Sequence, residues 1–432
     1  AFCLLGGFAG IASVSGTTSL SALMTAGPDA TTALVLLGIG FLIKAGAIGV
    51  HVWLPGAYSE ADDDFTAMLS AVVSKVAIFG LLTGTYLAIR SQAALELAHG
   101  MAWVGMLTTI AGAVLALRQT DFKRLLAFSS MSQLGYIVTA IALMSHLGWV
   151  TALYLVANHM MVKGILFLAI AGIILRTGTR QFGETGGLAR AMPVTFVLFL
   201  VAIVSMSGLP PLMGFGGKWL LLSAMTDKGW NFLAAAGLLA TFLGFLYMIR
   251  LVAGLFLGKR VSGQANVREL PLALLVPQAL LVVGILVLSL YPKLLMDPVS
   301  AAIDPQFAST LVWEGMSLYT IYGYWNPTPV MIIAVAVAAV LGVIAWAVYR
   351  SGLRGSGNLA RFYAYYRRGI EQAMPPVATL FWQGVTDFTL ATAATFRQVY
   401  TGNGQTYAMV VLFYFLALYL ASTGPAGFWI AG

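Results

Sequence analysis

Apolar runs of about twenty residues recur along the chain, separated by short polar segments. A helix rising about 1.5 Å per residue needs roughly 20 such residues to cross a bilayer. The pattern predicts eleven spans, at 1–14, 31–50, 66–89, 101–117, 125–145, 149–175, 193–226, 230–258, 271–292, 328–349 and 407–427. The predicted fold class is an all-α polytopic membrane protein. The short alternating segments of a β-barrel are absent.

Two runs are interrupted, and each carries a lysine. The first is Lys44 to Pro55, with glycines after the lysine and His51-Val-Trp-Leu-Pro at its end. The second is Ser207-Gly-Leu-Pro210-Pro211 through Lys218. The segment 193–226 is too long for one straight span and predicts a helix broken at Gly208–Pro211, because proline removes a helix hydrogen bond and clashes with the preceding turn. In transporters built from two related halves, such paired interruptions point to the transport path.

Composition agrees with the pattern. The chain is 60% hydrophobic and 9% charged, outside the range of soluble domains. The single cysteine, Cys3, excludes an internal disulfide framework and a cysteine metal site. The net charge of +8 raises nucleic acid as a partner until the charges are mapped. Segments 51–65, 118–124, 176–190, 259–269 and 350–405 hold fifteen Lys/Arg, whereas the alternate set 25–30, 90–100, 146–150, 227–229 and 293–327 holds three. The charges follow topology, so nucleic acid is rejected, and the positive-inside rule puts the first set in the cytoplasm. A bacterial-type inner (plasma) membrane is the expected location. The chain opens in apolar sequence at Ala1 without a methionine or a signal-peptide pattern, which predicts further N-terminal spans upstream.

Five basic residues remain inside spans: Lys44, Lys75, Lys163, Lys218 and Arg250. Arg250 lies near a cytoplasmic end, where a long side chain reaches the interface. The other four are candidates for function, since a lysine at the centre of a span costs about 2.5 kcal/mol or more. His159 and Lys163 are spaced i,i+4 and share one helix face. Desolvation disfavours a charged lysine, and histidine titrates near neutrality. The row Lys44, Lys75, His159, Lys163 and Lys218 is therefore the predicted proton path. No carboxylate falls within these spans, so a partner for Lys44 is expected upstream or in another subunit.

Other features leave alternatives open. His51 serves as packing in the turn or as a point of proton access. The acidic run Glu60, Asp62, Asp63 and Asp64 faces proton access, a basic partner, or water alone. Segment 350–405 interleaves Arg354, Arg361, Arg367 and Arg368 with Tyr363, Tyr365, Tyr366 and Trp382. It reads as an interfacial helix, either a brace along a neighbouring subunit or a surface connector. The four histidines show no metal-ligand spacing, and no phosphate-binding glycine loop is present, so no cofactor or metal is expected.

Several of these stretches resemble the antiporter-like membrane subunits shared by respiratory complex I, Mrp-type cation/proton antiporters and energy-converting hydrogenases of the hydrogenase-4 type. The resemblance rests on Lys44 to Pro55, Ser74-Lys75, Gln119-Thr-Asp121-Phe-Lys123-Arg124 through Ser-Gln133-Leu-Gly135-Tyr136, Asn158-His159-xxx-Lys163-Gly, and Gly208-Leu-Pro-Pro through Lys218. It covers roughly residues 35–260. It implies two inverted five-helix repeats, each with one broken helix, plus flanking spans. It implies proton translocation along the row named above, and an essential glutamate upstream that pairs with Lys44. The implied division is 1–89 as the end of the first repeat, 90–260 as the second, 261–349 as additional spans, 350–405 as interfacial and 406–432 as a final span. The sequence Glu60-Ala-Asp-Asp-Asp64 departs from the Ala-Pro-Thr-Pro type frequent in the family.

The expected function is a proton-translocating subunit among other membrane subunits of a hetero-oligomeric complex, moving protons and, in the Mrp-like reading slightly preferred, Na+. The rivals are a pumping subunit of a redox-driven complex, and a non-conducting scaffold such as an inorganic-carbon uptake subunit. The chain offers no redox centre, so any oxidoreductase activity would belong to partners.

Overall fold

The computed structural model describes residues 2–350, apart from 18, 20–21, 24–29, 91–93, 259–260, 262–266, 304–306, 308 and 321–322, together with position 387. Those two positions aside, the predicted interfacial segment 350–405 lies outside the described residues, as does the final span 407–427. The chain divides into two compact units, the second beginning at Pro329. Its described part is the apolar helix Pro327–Arg350, which opens two residues before the boundary.

The first unit is helical. Its elements are α1 (Phe2–Ser15), α2 (Thr31–Ala45), α3 (Trp53–Glu60), α4 (Asp63–Met68), a π-turn (Leu69–Val73), α5 (Ser74–Arg90), α6 (Ala94–Leu117), α7 (Phe122–Ala142), α8 (His146–Thr177), α9 (Pro193–Ser207), α10 (Met213–Asp227), α11 (Asn231–Phe256), α12 (Leu272–Leu290) and α13 (Lys293–Ile303). Among the described residues, six helical stretches are long and apolar enough to cross a membrane: Asp63–Ile89, Leu97–Leu117, Phe122–Ala142, His146–Thr177, Asn231–Phe256 and Leu272–Leu290.

The centre of the unit is α7, in which every residue but Arg124 is buried. Asp121 starts it by accepting hydrogen bonds from the N–H groups of Lys123 (2.8 Å) and Arg124 (3.1 Å), which an N-cap carboxylate does for the free donors of a first turn. Glycine lets α6 approach closely. A Cβ at Gly135 would meet the Gly105 carbonyl oxygen at 2.5 Å, and one at Gly112 would meet the Ser132 nitrogen at 2.6 Å. Small residues replace hydrophobic driving force in membrane helix pairing, because contact must come from backbone proximity.

The first interrupted run stops at Ala45, where Gly46 turns into the left-handed region (φ 75°). Helical structure resumes at Trp53, whose Nε1 donates back across the gap to the Ile43 carbonyl at 2.8 Å. The segment 51–65 is therefore not a plain loop. Leu54 and Tyr58, spaced i,i+4, are buried, and Pro55 sits in the first turn of α3, where a missing N–H is tolerated. The second run stops at Ser207 with Gly208 at φ 77°, passes a cis Pro210–Pro211 bond, and resumes at Met213.

Segment 293–327, read from sequence as a loop, contains α13 and an antiparallel meander of β1 (Val312–Glu314), β2 (Ser317–Thr320) and β3 (Gly323–Trp325). Strands of three or four residues leave no alternation to detect. Trp325 anchors the meander, its indole lying against Gly216 and edge-on to Tyr154 at 6.3 Å.

Candidate functional site: a buried lysine and histidine row

Lys75 is the second residue after the π-turn. Its ammonium contacts the Ser70 carbonyl (2.7 Å), the Ser74 hydroxyl (2.9 Å) and Nδ1 of His159 on α8 (2.6 Å). A π-turn misaligns the backbone ladder and frees carbonyls, and such turns recur at functional sites. Here the Ser70 carbonyl also accepts from the Ser74 hydroxyl at 2.7 Å. The Tyr58 hydroxyl on α3 interacts with both Ser74 and Ser70.

One turn further along α8, Lys163 is fully buried. Its Nζ donates to the Ser129 hydroxyl (2.5 Å) and the Leu126 carbonyl (3.0 Å), both on α7. The neighbouring Ser130 hydroxyl meets the Ser70 hydroxyl at 3.0 Å. The serines of α7 thus stand between the Lys75 and Lys163 environments. The same helix carries Gln133, whose Nε2 reaches the Tyr247 hydroxyl at 3.4 Å, and Tyr136, whose ring lies 5.1 Å from the Lys218 ammonium.

Lys218 is buried on α10 and points back across the second break. Its Nζ donates to the Ser207 (2.9 Å) and Met206 (3.3 Å) carbonyls, the free carbonyl end of α9. An ammonium there complements the negative end of the helix dipole. Asn158 next to His159 accepts from the Ser205 hydroxyl of α9 at 2.6 Å. Polar side chains therefore recur from Lys75 to Lys218.

Lys44 departs from the expectation of burial: it is exposed. Its helix carries a stripe that faces α1. Ala33, Leu37 and Gly40 on that stripe are covered by Gly10, Gly7 and Leu4 of α1. None of the three ion pairs among the described residues includes it.

The three candidates for proton access are not brought together with the row as a unit. His51 is buried in the first break, edge-on to Phe128 at 6.4 Å. Glu60 is exposed and pairs with Arg180 at 3.3 Å, and Asp62 is exposed at the start of α4. Their neighbour Asp63 pairs with the buried Lys123 at 2.6 Å. Arg180 also meets Asp121 at 2.8 Å and the Ser59 carbonyl at 2.9 Å. Two of the four acidic residues are thus held by this chain's own basic side chains.

Sequence reasoning passed over Tyr58, Ser70, Ser129, Ser130 and Lys123 as site residues. The signal was present for the α7 group, since Ser129-Ser130-Met-Ser132-Gln133 is dense in polar groups for a buried span. Tyr58 gave none, because a tyrosine in an apolar helix reads as packing.

Residues 1–244 match the family described as NADH:quinone oxidoreductase/Mrp antiporter, transmembrane. The chain belongs to this family. Among its relatives, NADH-quinone oxidoreductase subunit N of Desulforudis audaxviator (strain MP104C) is 33% identical over 278 residues, covering 61% of this chain and 55% of the relative. Among solved structures, a chain of the Mrp complex from Dietzia sp. DQ12-45-1b aligns with a TM-score of 0.65 at 28% identity, covering 72% of this chain and 66% of that one. A chain of the membrane-bound sulfane sulfur reductase, an archaeal respiratory membrane complex, aligns with a TM-score of 0.72 at 27% identity, covering 97% and 74%. The chain spans about half the length of the first curated relative. It is an integral membrane protein of the antiporter-like fold that Mrp and complex I structures share.

Proposed function

We propose that this chain is a proton-translocating, antiporter-like subunit of a multi-subunit membrane complex, with Lys75, His159, Lys163 and Lys218 as its transfer groups. The observation that carries this reading is the 2.6 Å contact between Lys75 Nζ and His159 Nδ1. A contact that short between two bases fits one shared proton. If Lys75 is an ammonium, Nδ1 accepts; if His159 is an imidazolium, Lys75 is the neutral amine. Each group's proton affinity then depends on its neighbour's charge, which lets an added charge drive a proton onward.

Lys44 and the access residues His51, Glu60 and Asp62 extend the path toward the two faces in this reading. Residues 1–89 and 90–260 act as the two related halves, in the plasma membrane of a bacterial-type cell. Cation/proton exchange is the preferred use of the path, supported by the alignment to the Mrp complex. A redox-driven complex is the second reading, favoured by the longer alignment to the sulfane sulfur reductase.

The test uses everted membrane vesicles carrying the whole complex, a pH-sensitive dye, and wild type against Lys218→Ala. Proton movement on adding NaCl without an electron donor, lost in the variant, supports cation/proton exchange. Silence with sodium and a lysine-dependent response to an electron donor supports the redox-driven complex. Normal transport by an inserted Lys218→Ala protein overturns the transfer role of the row.

A further inference from the structure

The helix α9 is held at both ends by charged side chains from other elements. At its start, Pro193 offers no N–H, and the next two donors both point to Glu269. Glu269 Oε2 accepts from Val194 N–H at 2.8 Å and Thr195 N–H at 3.4 Å, and Oε1 accepts from the Thr195 hydroxyl at 2.5 Å. Glu269 is itself fixed: Oε1 takes the Leu270 N–H at 2.9 Å, and its carbonyl takes Arg176 of α8 at 2.9 Å. At the far end, about 22 Å away at the helical rise, the Met206 and Ser207 carbonyls receive the Lys218 ammonium. A carboxylate sits at the N–H end and an ammonium at the carbonyl end, the polarity that a helix dipole favours.

We propose that Glu269 is a positioning residue for proton transfer at Lys218, acting through α9. It fixes the helix along its axis, and so fixes the two carbonyls that hold the ammonium. The proposal rests on the reading of Lys218 as a transfer group. A hydrogen-bonded helix moves nearly as a rod, so a slip at Val194 arrives at Ser207. Hydrogen bonds to the charged form of a group favour that form, and these two carbonyls are the acceptors seen at Lys218. Of the elements packed against α10, α9 and α12 contain no titratable side chain. The others contribute Lys123, Arg124 and Tyr136 on α7, His146, Tyr154, His159, Lys163 and Arg176 on α8, Tyr247 and Arg250 on α11, and Glu314, Tyr319 and Tyr324 on the meander that packs through Trp325 against Gly216. Of these, the Tyr136 ring lies against the ammonium at 5.1 Å. Among the described residues, the acceptors that hold the Lys218 ammonium are these two carbonyls, and no carboxylate pairs with it.

The experiment measures proton transport against pH in vesicles holding the assembled complex, for wild type, Glu269→Ala, Glu269→Gln, Thr195→Val and Lys218→Ala. Glu269→Ala is expected to move the half-point of the pH–rate profile to lower pH by about half a unit, roughly a threefold loss of proton affinity. Glu269→Gln, whose amide oxygen still accepts from Val194, and Thr195→Val shift it less in the same direction. Where Glu269→Ala does not assemble, these two variants decide the matter. A lower rate with an unmoved half-point in the assembled variants identifies a structural latch and overturns the proposal. A Lys218→Ala protein with normal transport removes the role of Lys218 itself. A silent Lys218→Ala protein beside unmoved Glu269 and Thr195 variants removes the role of Glu269 alone.

Discussion

Gly208 and Lys218 occupy one space across the second break. A Cβ on Gly208 would lie 2.5 Å from Cδ of Lys218 and 3.2 Å from its Nζ. Gly208 also holds φ at 77°, a left-handed conformation that costs an L side chain about 1–2 kcal/mol. Gly208→Ala is therefore expected to lose transport through displacement of Lys218, with a stability loss of about 1–3 kcal/mol. Transport in vesicles and thermal unfolding of the detergent-solubilised complex measure the two effects. Wild-type transport in an assembled Gly208→Ala complex would contradict the geometry.

Lys75→Met separates function from packing. Methionine fills similar volume and removes a cation that is costly to desolvate. The variant is expected to insert and assemble at wild-type levels, with unfolding at or above the wild-type temperature, and to lose proton transport at least tenfold. Expression, thermal unfolding and dye response check these together. Retained transport would favour the scaffold reading.

Lys123 offers the opposite case. It is buried, and its ammonium meets Asp63 and donates to the Ala61 carbonyl at 2.5 Å. Lys123→Met leaves that carbonyl and a partly exposed carboxylate without their partner. A loss of about 1–3 kcal/mol is expected, at the lower end because Asp63 is open to water. Chemical denaturation should show it, with Asp63→Asn milder than Lys123→Met.

Close packing of α6 on α7 predicts a third kind of failure. Gly135→Leu places a side chain into the Gly105 carbonyl and the Thr109 hydroxyl. Overpacking of this kind costs about 1–3 kcal/mol or more, and the backbone on the other side cannot rotate away. The expected result is a large drop in folded protein in the membrane. Full yield would mean that α6 and α7 separate more readily than their geometry suggests.

The six spans seen among the described residues were legible because a bilayer imposes one length and one composition on every helix that crosses it. The breaks were legible because Gly and Pro act locally, at Gly46, Gly208 and Pro210. Tertiary relations were not. Lys44 shares an apolar run with Leu37 and Leu42, yet it is exposed where they are buried. Tyr58 joins the Lys75 environment only once α3 folds against the π-turn. The meander near Trp325 is held by a contact with Gly216, which lies more than a hundred residues away.

The burial of α7 bears on how the protein is made. Its mean hydropathy of 1.5 is the lowest of the six spans, and no face is left for lipid. Its Gly135 and Ser132 already lie against α6, the helix synthesised just before it. A segment with serines, a glutamine and a buried lysine gains little by partitioning alone from the insertion machinery into acyl chains. Its passage into the membrane is best served by leaving as a hairpin with α6, so the order of synthesis supplies the partner that its own sequence requires.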